Sequence, residues 1–256
     1  MTQAEIIQAL TEAIDRGDYR YGDRLPTTRE LADRFSSSQQ TVASALTVMS
    51  SMGMVQVQRG WGSKVIAGWP GKIRLGTYLS ANREVATGTT AWARENGEGA
   101  QEGPTQVSQT VTTEADADTG IPVGTKVVER TRTRFDADGA PSQHKRTLVT
   151  VDAATLAPDG WSGLPPMMRP GDVIPPGGMS IAKWLGMGVE RIIYDICTAP
   201  ASAVAAAALT VPEGTPCLRI VSRGIKADGE VAYATVTTAP LRSSISLEIR
   251  DGEGPV

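Results

Sequence analysis

Near the N-terminus, hydrophobic positions recur at helical spacing in three short stretches. Ile6, Ile7, Leu10, Ala13 and Ile14 form one stripe, which Gly17 closes. Ahead of it Thr2 and Glu5 make a capping box, in which a hydroxyl and a carboxylate each satisfy an orphan backbone N–H. Thr27 and Glu30, beside Pro26, open a second helix in the same way, with Leu31, Ala32 and Phe35 on its apolar side. Val42, Ala45, Leu46 and Met49 form the third stripe, ended by Gly53. Ser36, Ser37 and Ser38 separate the last two helices because their side chains compete for backbone hydrogen bonds, and any one of them can cap the third helix. The period then drops to two. Val55 and Val57, the tip Arg59-Gly60-Trp61-Gly62, and Val65-Ile66 predict a two-stranded hairpin. A helix, a serine turn, a second helix and a hairpin make a winged helix-turn-helix, whose second helix fits the major groove of double-stranded DNA.

Gly68-Trp69-Pro70-Gly71 breaks regular structure, so the chain divides into a winged helix-turn-helix at 1–68, a linker at 69–76 and a second domain at 77–256. Residues 77–103 show little periodicity, with a short helix expected around Ala91–Glu95; Thr105–Thr113 alternates as a strand. Beyond them lies an internal repeat. Ile121-Pro-Val-Gly-Thr125 through Ala137-Asp-Gly139 recurs 90 residues later as Val211-Pro-Glu-Gly-Thr215 through Ala227-Asp-Gly229. In each copy a strand runs between the turns and a second strand (Pro141–Val149, Val231–Ala239) returns after the Asp-Gly, the pairing that dipeptide favours. Only the second copy follows a strong helix, the alanine-rich Ala201–Leu209; Ser180–Leu185 is the other helical stretch. The fold class is therefore α+β, with a mainly antiparallel sheet in the second domain.

Composition alters this picture little. The 256 residues suit two domains, and the 40% apolar fraction is enough for real cores. No apolar run approaches the roughly 18 residues needed to span a bilayer, and the N-terminus does not read as a secretion signal, so a cytoplasmic protein is expected. Cys197 and Cys217 are then expected to be reduced. Charge matters more: residues 1–74 carry a net of +2 and the remainder a net of −5. That weak field implies modest non-specific DNA affinity and the need for a dimer.

Arg29 would leave the first turn of its helix towards a phosphate or a guanine edge, or else pair with Glu30 or Asp33 at the surface. Ser38, Gln39, Gln40 and Thr41 lie at the start of the proposed recognition helix, where glutamine can read adenine or simply open a polar helix. Arg59, Gly60 and Lys64 place the hairpin tip near phosphates or a minor groove, while Trp61 suits packing on the wing better than insertion between bases. In the second domain Arg130, Arg132 and Arg134 alternate on one strand, so three guanidiniums share a face; this fits a small anionic effector or a solvated face neutralised by acidic loops. Arg223 and Tyr233 are candidates for the same cavity. Enzymatic chemistry has little support: the single histidine, His144, has no nucleophile context, no Cys/His cluster offers zinc a site, and no cofactor motif is present.

The runs Gly22-Asp23-Arg24-Leu25-Pro26, Arg29-Glu30-Leu31-Ala32, Thr41-Val42-Ala43-Ser44-Ala45-Leu46 and Arg59-Gly60-Trp61-Gly62 resemble the N-terminal domain of GntR-type bacterial transcriptional regulators. More loosely, Arg132-Thr-Arg134, Asp138-Gly-Ala-Pro141 and Asp228-Gly229 resemble the UTRA effector-binding domain of the HutC subfamily. The resemblance implies a chorismate-lyase-like effector domain, with Arg132 and Arg134 on its Arg-x-Arg strand, which also provides the contact of a homodimer. It further implies a repressor, less often an activator, acting on a short inverted repeat. Gln39 and Ala43 stand where the family commonly has arginines, and Tyr233 where it has an acidic pocket residue. An effector-independent maintenance or transfer repressor of the plasmid or phage type is the alternative.

Overall fold

The computed structural model describes residues 1–58, 62–75, 98–176 and 179–247. Three helices open the chain: α1 (Gln3–Asp15), α2 (Thr28–Arg34) and α3 (Gln39–Ser51). Both capping boxes form, with the Thr2 N–H donating to Glu5 at 2.8 Å and the Thr27 N–H to Glu30 at 2.7 Å. Of the three serines, Ser38 is the cap of α3, its Oγ accepting from the Thr41 N–H at 3.0 Å. Ser36 takes the left-handed turn conformation, at φ 47°. The predicted stripes pack together: Ile6, Leu10 and Ile14 of α1, Leu31 of α2, and Val42, Leu46 and Met49 of α3 share one core with Val55 and Val65. Those valines belong to the wing, β1 (Val55–Gln58) paired antiparallel with β2 (Gly62–Val65). Arg59, Gly60 and Trp61 at its tip lie outside the described residues, as does the helix expected around Ala91–Glu95.

Within the span read as a linker, β3 (Lys72–Leu75) is a strand, parallel to β11 (Ser244–Leu247). The main sheet holds β4 (Gln101–Glu102), β5 (Gln106–Val111), β6 (Lys126–Phe135), β7 (Pro141–Thr150), β8 (Val189–Pro200), β9 (Pro216–Lys226) and β10 (Val231–Pro240). Its order is β4-β6-β7-β10-β9-β8, with β5 also on β6, and every pairing is antiparallel.

The repeat explains this order. Each Pro-x-Gly-Thr turn closes the same way, the threonine hydroxyl donating to the proline carbonyl at 2.6 Å from Thr125 and 2.7 Å from Thr215. Each Asp-Gly turn joins the two strands of its hairpin. The second strands lie side by side, with Arg146 opposite Val236, residues 90 apart in the repeat, so a local pseudo-twofold passes between them. Helix α6 (Ala203–Leu209) precedes the second copy, and a 3-10 segment, Glu114–Thr119, holds the corresponding place before the first.

Alternation sends Val128, Val149 and Ala232 to one face, beneath α4 (Val151–Ala154), Pro166–Met168 and α5 (Ile181–Trp184). Further along that face β3 and β11 cover Ile220 and Ala239. Val127, Leu148 and Ala234 occupy the opposite face with Ile121, and Cys217 lies there beneath α6.

A polar clamp joins the winged helix to the first Asp-Gly turn. Asp136, 5% exposed, accepts from the Trp69 N–H at 2.7 Å through one oxygen and from the Asp138 and Ala140 N–H groups at 3.0 and 2.8 Å through the other. The Trp69 indole N–H donates to Asp138 at 2.7 Å, and Arg242 reaches both the Gly68 carbonyl at 3.0 Å and the carboxylate of Asp15 at the end of α1. Next to the clamp, Met52, Met54, Ala67, Val211 and Pro240 line an apolar cavity of about 90 Å³.

Candidate nucleic-acid interface and the arginine face of the sheet

Two capped helix starts lie on the outside of the winged helix. Arg29 is exposed in the first turn of α2, and Gln39 and Gln40 are exposed in the first turn of α3. The burial of Val42, Ala45, Leu46 and Met49 fixes the rotation of α3 and leaves Gln39, Gln40, Ala43 and Thr47 towards solvent. Ser38 and Thr41 bond to each other, 2.8 Å apart through their hydroxyls, so their first role is to hold the helix start. The first-turn N–H groups and the helix dipole favour an anion there. Lys64 is exposed on the wing, 6.0 Å from the centre of the Tyr21 ring. Hydrogen bonds from the Thr27 N–H and hydroxyl hold the Glu30 carboxyl below its ordinary range, so it stays ionised close to Arg29. Among the described residues this surface is therefore polar, with scattered cations rather than a basic stripe.

On the sheet, Arg130, Arg132 and Arg134 alternate onto one face, opposite Thr147, Lys145 and Gln143 of β7. Arg130 is buried and donates to the carbonyls of Met167, Arg169 and Gly171 at 2.7, 2.8 and 2.7 Å, which pins that loop to the sheet. Burial first, and then the charge of Arg132, holds its guanidinium below the ordinary value. Arg132 and Arg134 share a carboxylate: Glu102 takes Arg132 at 3.0 Å and Arg134 at 2.7 Å. Arg132 also donates to Thr105 at 2.8 Å and pairs with Asp172, while Arg134 reaches Gln143 at 3.2 Å.

The other two residues read as lining this cavity stand apart. Tyr233 is on the same face but lies level with Val128, two strands over from β6, which places it roughly 16 Å from Arg132 by strand geometry. Arg223 is opposite Ala234, on the reverse face, where it pairs with Asp195. The carboxylates at the arginine pair escaped the sequence reading because Glu102 and Asp172 lie in stretches without periodicity. The Asp136 clamp escaped it because an Asp-Gly turn accounts for those residues without a partner. Among the described residues no group of three or more His, Cys, Asp or Glu could hold a metal, and no helix is long and apolar enough to cross a membrane.

Residues 2–65 match the family model for bacterial regulatory proteins of the gntR family. Over 65 residues the chain is 35% identical to the Uxu operon regulator of Haemophilus influenzae, covering 25% of this chain and 24% of that one. Over 62 residues it is 32% identical to the uncharacterized HTH-type transcriptional regulator YisV of Bacillus subtilis, covering 24% and 13%. The chain thus matches these relatives over about a quarter of their length or less. Among solved structures, PhnF from Mycobacterium smegmatis aligns at 21% identity over 98% of this chain and 99% of that one, with a TM-score of 0.49. The possible transcriptional regulator YydK from Bacillus subtilis aligns at 16% identity over 98% and 100%, with a TM-score of 0.43. At those values the likeness says nothing about what the sheet binds. The similarity of residues 2–65 to the gntR-family model and to these two regulators falls on the three helices and the wing.

Proposed function

We propose, from the premise of a GntR-type domain at residues 2–65, that the chain is a sequence-specific transcriptional regulator, a homodimeric cytoplasmic repressor of the HutC type. Residues 1–68 bind DNA, 69–76 connect, and 77–256 form a UTRA-like domain for dimerisation and effector binding. Supporting this is the presentation of α3: Ser38 caps it, its buried stripe fixes its rotation, and Gln39 and Gln40 face outward from its first turn. In the major groove they would read adenine, with Arg29, Ser38, Thr41, Lys64 and the wing-tip Arg59, Gly60 and Trp61 along the backbone. Two such helices related by a dimer axis read an inverted repeat. Selection from a random-sequence duplex pool should enrich an inverted repeat, with binding that weakens steeply as salt rises. Gln39→Ala should relax one position of it, and Arg29→Ala should weaken all sequences alike. A pool that stays unenriched at every salt concentration overturns the reading.

The effector, in this proposal, is a small anion that displaces Glu102 from Arg132 and Arg134. Thermal shifts with a library of phosphorylated and carboxylated metabolites test it, with Arg132→Ala as the variant that should lose the response. The present engagement of both arginines by Glu102 and Asp172 favours a second reading, in which the domain binds no effector and the protein is a constitutive repressor. A library without a single hit would decide for it.

A further inference from the structure

The C-terminal end of α3 rests on the second copy of the repeat. Gly53 follows the helix at φ 70°, and a Cβ there would stand 3.0 Å from the Thr215 methyl and 3.3 Å from Val211 Cγ1, so this exit packs directly on the Pro-x-Gly-Thr turn. Around that contact the winged helix and the sheet domain do not close completely. The cavity of about 90 Å³ beside the clamp has one wall from the winged helix, with Met52, Met54 and Ile66, and one from the sheet domain, with Leu209, Val211 and Pro240. Its polar neighbours are engaged elsewhere: the Trp69 indole N–H donates to Asp138, the Ser142 hydroxyl to the Arg134 carbonyl at 3.1 Å, and Arg242 to the Gly68 carbonyl and Asp15. Met52 and Leu241 of the lining are 52% and 50% exposed, so a single flexible side chain separates the cavity from solvent.

We propose that this cavity is a ligand site for a small uncharged apolar molecule, which locks the winged helix onto the sheet domain. An apolar cavity of about 150 Å³ stays dry and takes benzene. In proportion, about 90 Å³ suits roughly four heavy atoms. An ion or a hydrogen-bonding ligand finds no free partner among Trp69, Ser142 and Arg242, and would give up its hydration on entering. The thioethers of Met52 and Met54 adapt to the shape of an apolar occupant. Because the two walls belong to different domains, the occupant keeps both only while the domains are docked; once they part it has one wall and water. It therefore binds the docked arrangement better, and shifts the equilibrium towards it by that difference in affinity. The cavity shares no residue with the arginine face, so the site stands whether or not an anion binds there.

Methyl spectra of the full chain with carbon-13-labelled methionines, taken under rising isobutane pressure, read occupancy. The ε-methyls of Met52 and Met54 should shift and saturate, while those of Met167 and Met187, buried in the separate cluster around Val128, should not move. Ethylene glycol, a polar molecule of the same size, should leave them all in place. Hydrogen exchange of the Trp69 N–H, whose bond to Asp136 reports docking, should slow about twofold when isobutane equals its dissociation constant. Val211→Phe, which adds about as many carbons as isobutane has, should abolish both effects. Met52→Phe fills the cavity from the opposite wall and should do the same, so the test survives poor folding of either variant. Methyls that do not shift, shifts that include Met167 and Met187, an equal response to ethylene glycol, shifts that persist in both filled variants, or occupancy without slower exchange would each overturn the proposal.

Discussion

Alanine in place of Asp136 is expected to loosen the winged helix from the sheet while leaving the β6–β7 hairpin formed. The second copy of the repeat supplies the control. Lys226 stands where Asp136 does, and that turn still closes, with the Lys226 N–H on the Glu230 carbonyl at 2.9 Å and the Gly229 N–H on the Lys226 carbonyl at 3.0 Å. A carboxylate at this place is therefore dispensable for the turn. At Asp136 it adds three acceptor contacts, to Trp69, Asp138 and Ala140. A hydrogen bond to a charged group contributes about 1.5–3 kcal/mol net, and an orphaned buried donor costs about 1–3. The Asp138 and Trp69 N–H groups are partly buried, whereas the Ala140 N–H is buried. The sum is roughly 2–4 kcal/mol for Asp136→Ala, and less for Asp136→Asn, which keeps one acceptor. Urea unfolding of the full chain measures the loss, and hydrogen exchange of the segment around Gly68 and Trp69 locates it. A loss under about 0.5 kcal/mol with unchanged exchange there would refute the clamp.

Gly68→Ala tests the same junction by crowding. A Cβ would sit 2.1 Å from the Asp136 carboxylate and 2.5 Å from the Ala140 Cβ, so a loss of about 1–3 kcal/mol is expected in thermal denaturation. Ser38→Ala removes the cap of α3 and should cost about 1 kcal/mol by the same assay, with DNA affinity falling as the helix start frays. His144 gives a pH dependence. Burial first, and then Arg146, depresses its folded pKa below the unfolded value of 6.5, against the pull of Glu129. Below pH 6.5 the unfolded chain then binds more protons, so stability present above that value is lost as pH falls. His144→Gln should flatten the stability curve just below pH 6.5, and an unchanged curve would exclude the histidine as its source.

The winged helix was legible because local signals and burial agree. Thr2, Thr27 and Ser38 are caps whose hydrogen bonds are made within three residues, and the stripes of α1 and α3 each bury a single face. The repeat was legible for a related reason, since its turns close on their own threonine and glycine. Sequence could not show where the two hairpins meet. That meeting of β7 with β10 decides which side chains share a face, and it separates Arg223 from Arg132 although both sit on strands rich in arginine. Strand parity gave the alignment of Arg130, Arg132 and Arg134, but their neutralisation depends on Glu102 and Asp172, which arrive from other stretches of chain.

The pseudo-twofold also divides the labour of the sheet. In the first copy the opening strand β6 carries the arginine pair and ends at the turn that holds Trp69, the residue that follows the winged helix. In the second copy the equivalent strand β9 ends at Lys226, which pairs with Glu230, and among the described residues no hydrogen bond joins that turn to the winged helix. Arg132 and Arg134 stand two to four residues before Asp136 along the chain, with a register shift in the β6–β7 pairing between Arg134 and Phe135. Coupling the two sites requires an element with two arrangements whose equilibrium both sites bias. If the arginine pair exchanges Glu102 for an external anion, the winged helix should respond through the clamp, and Asp136→Ala should abolish that response while the anion still binds. Loss of anion binding in that variant would place Asp136 in the pocket itself.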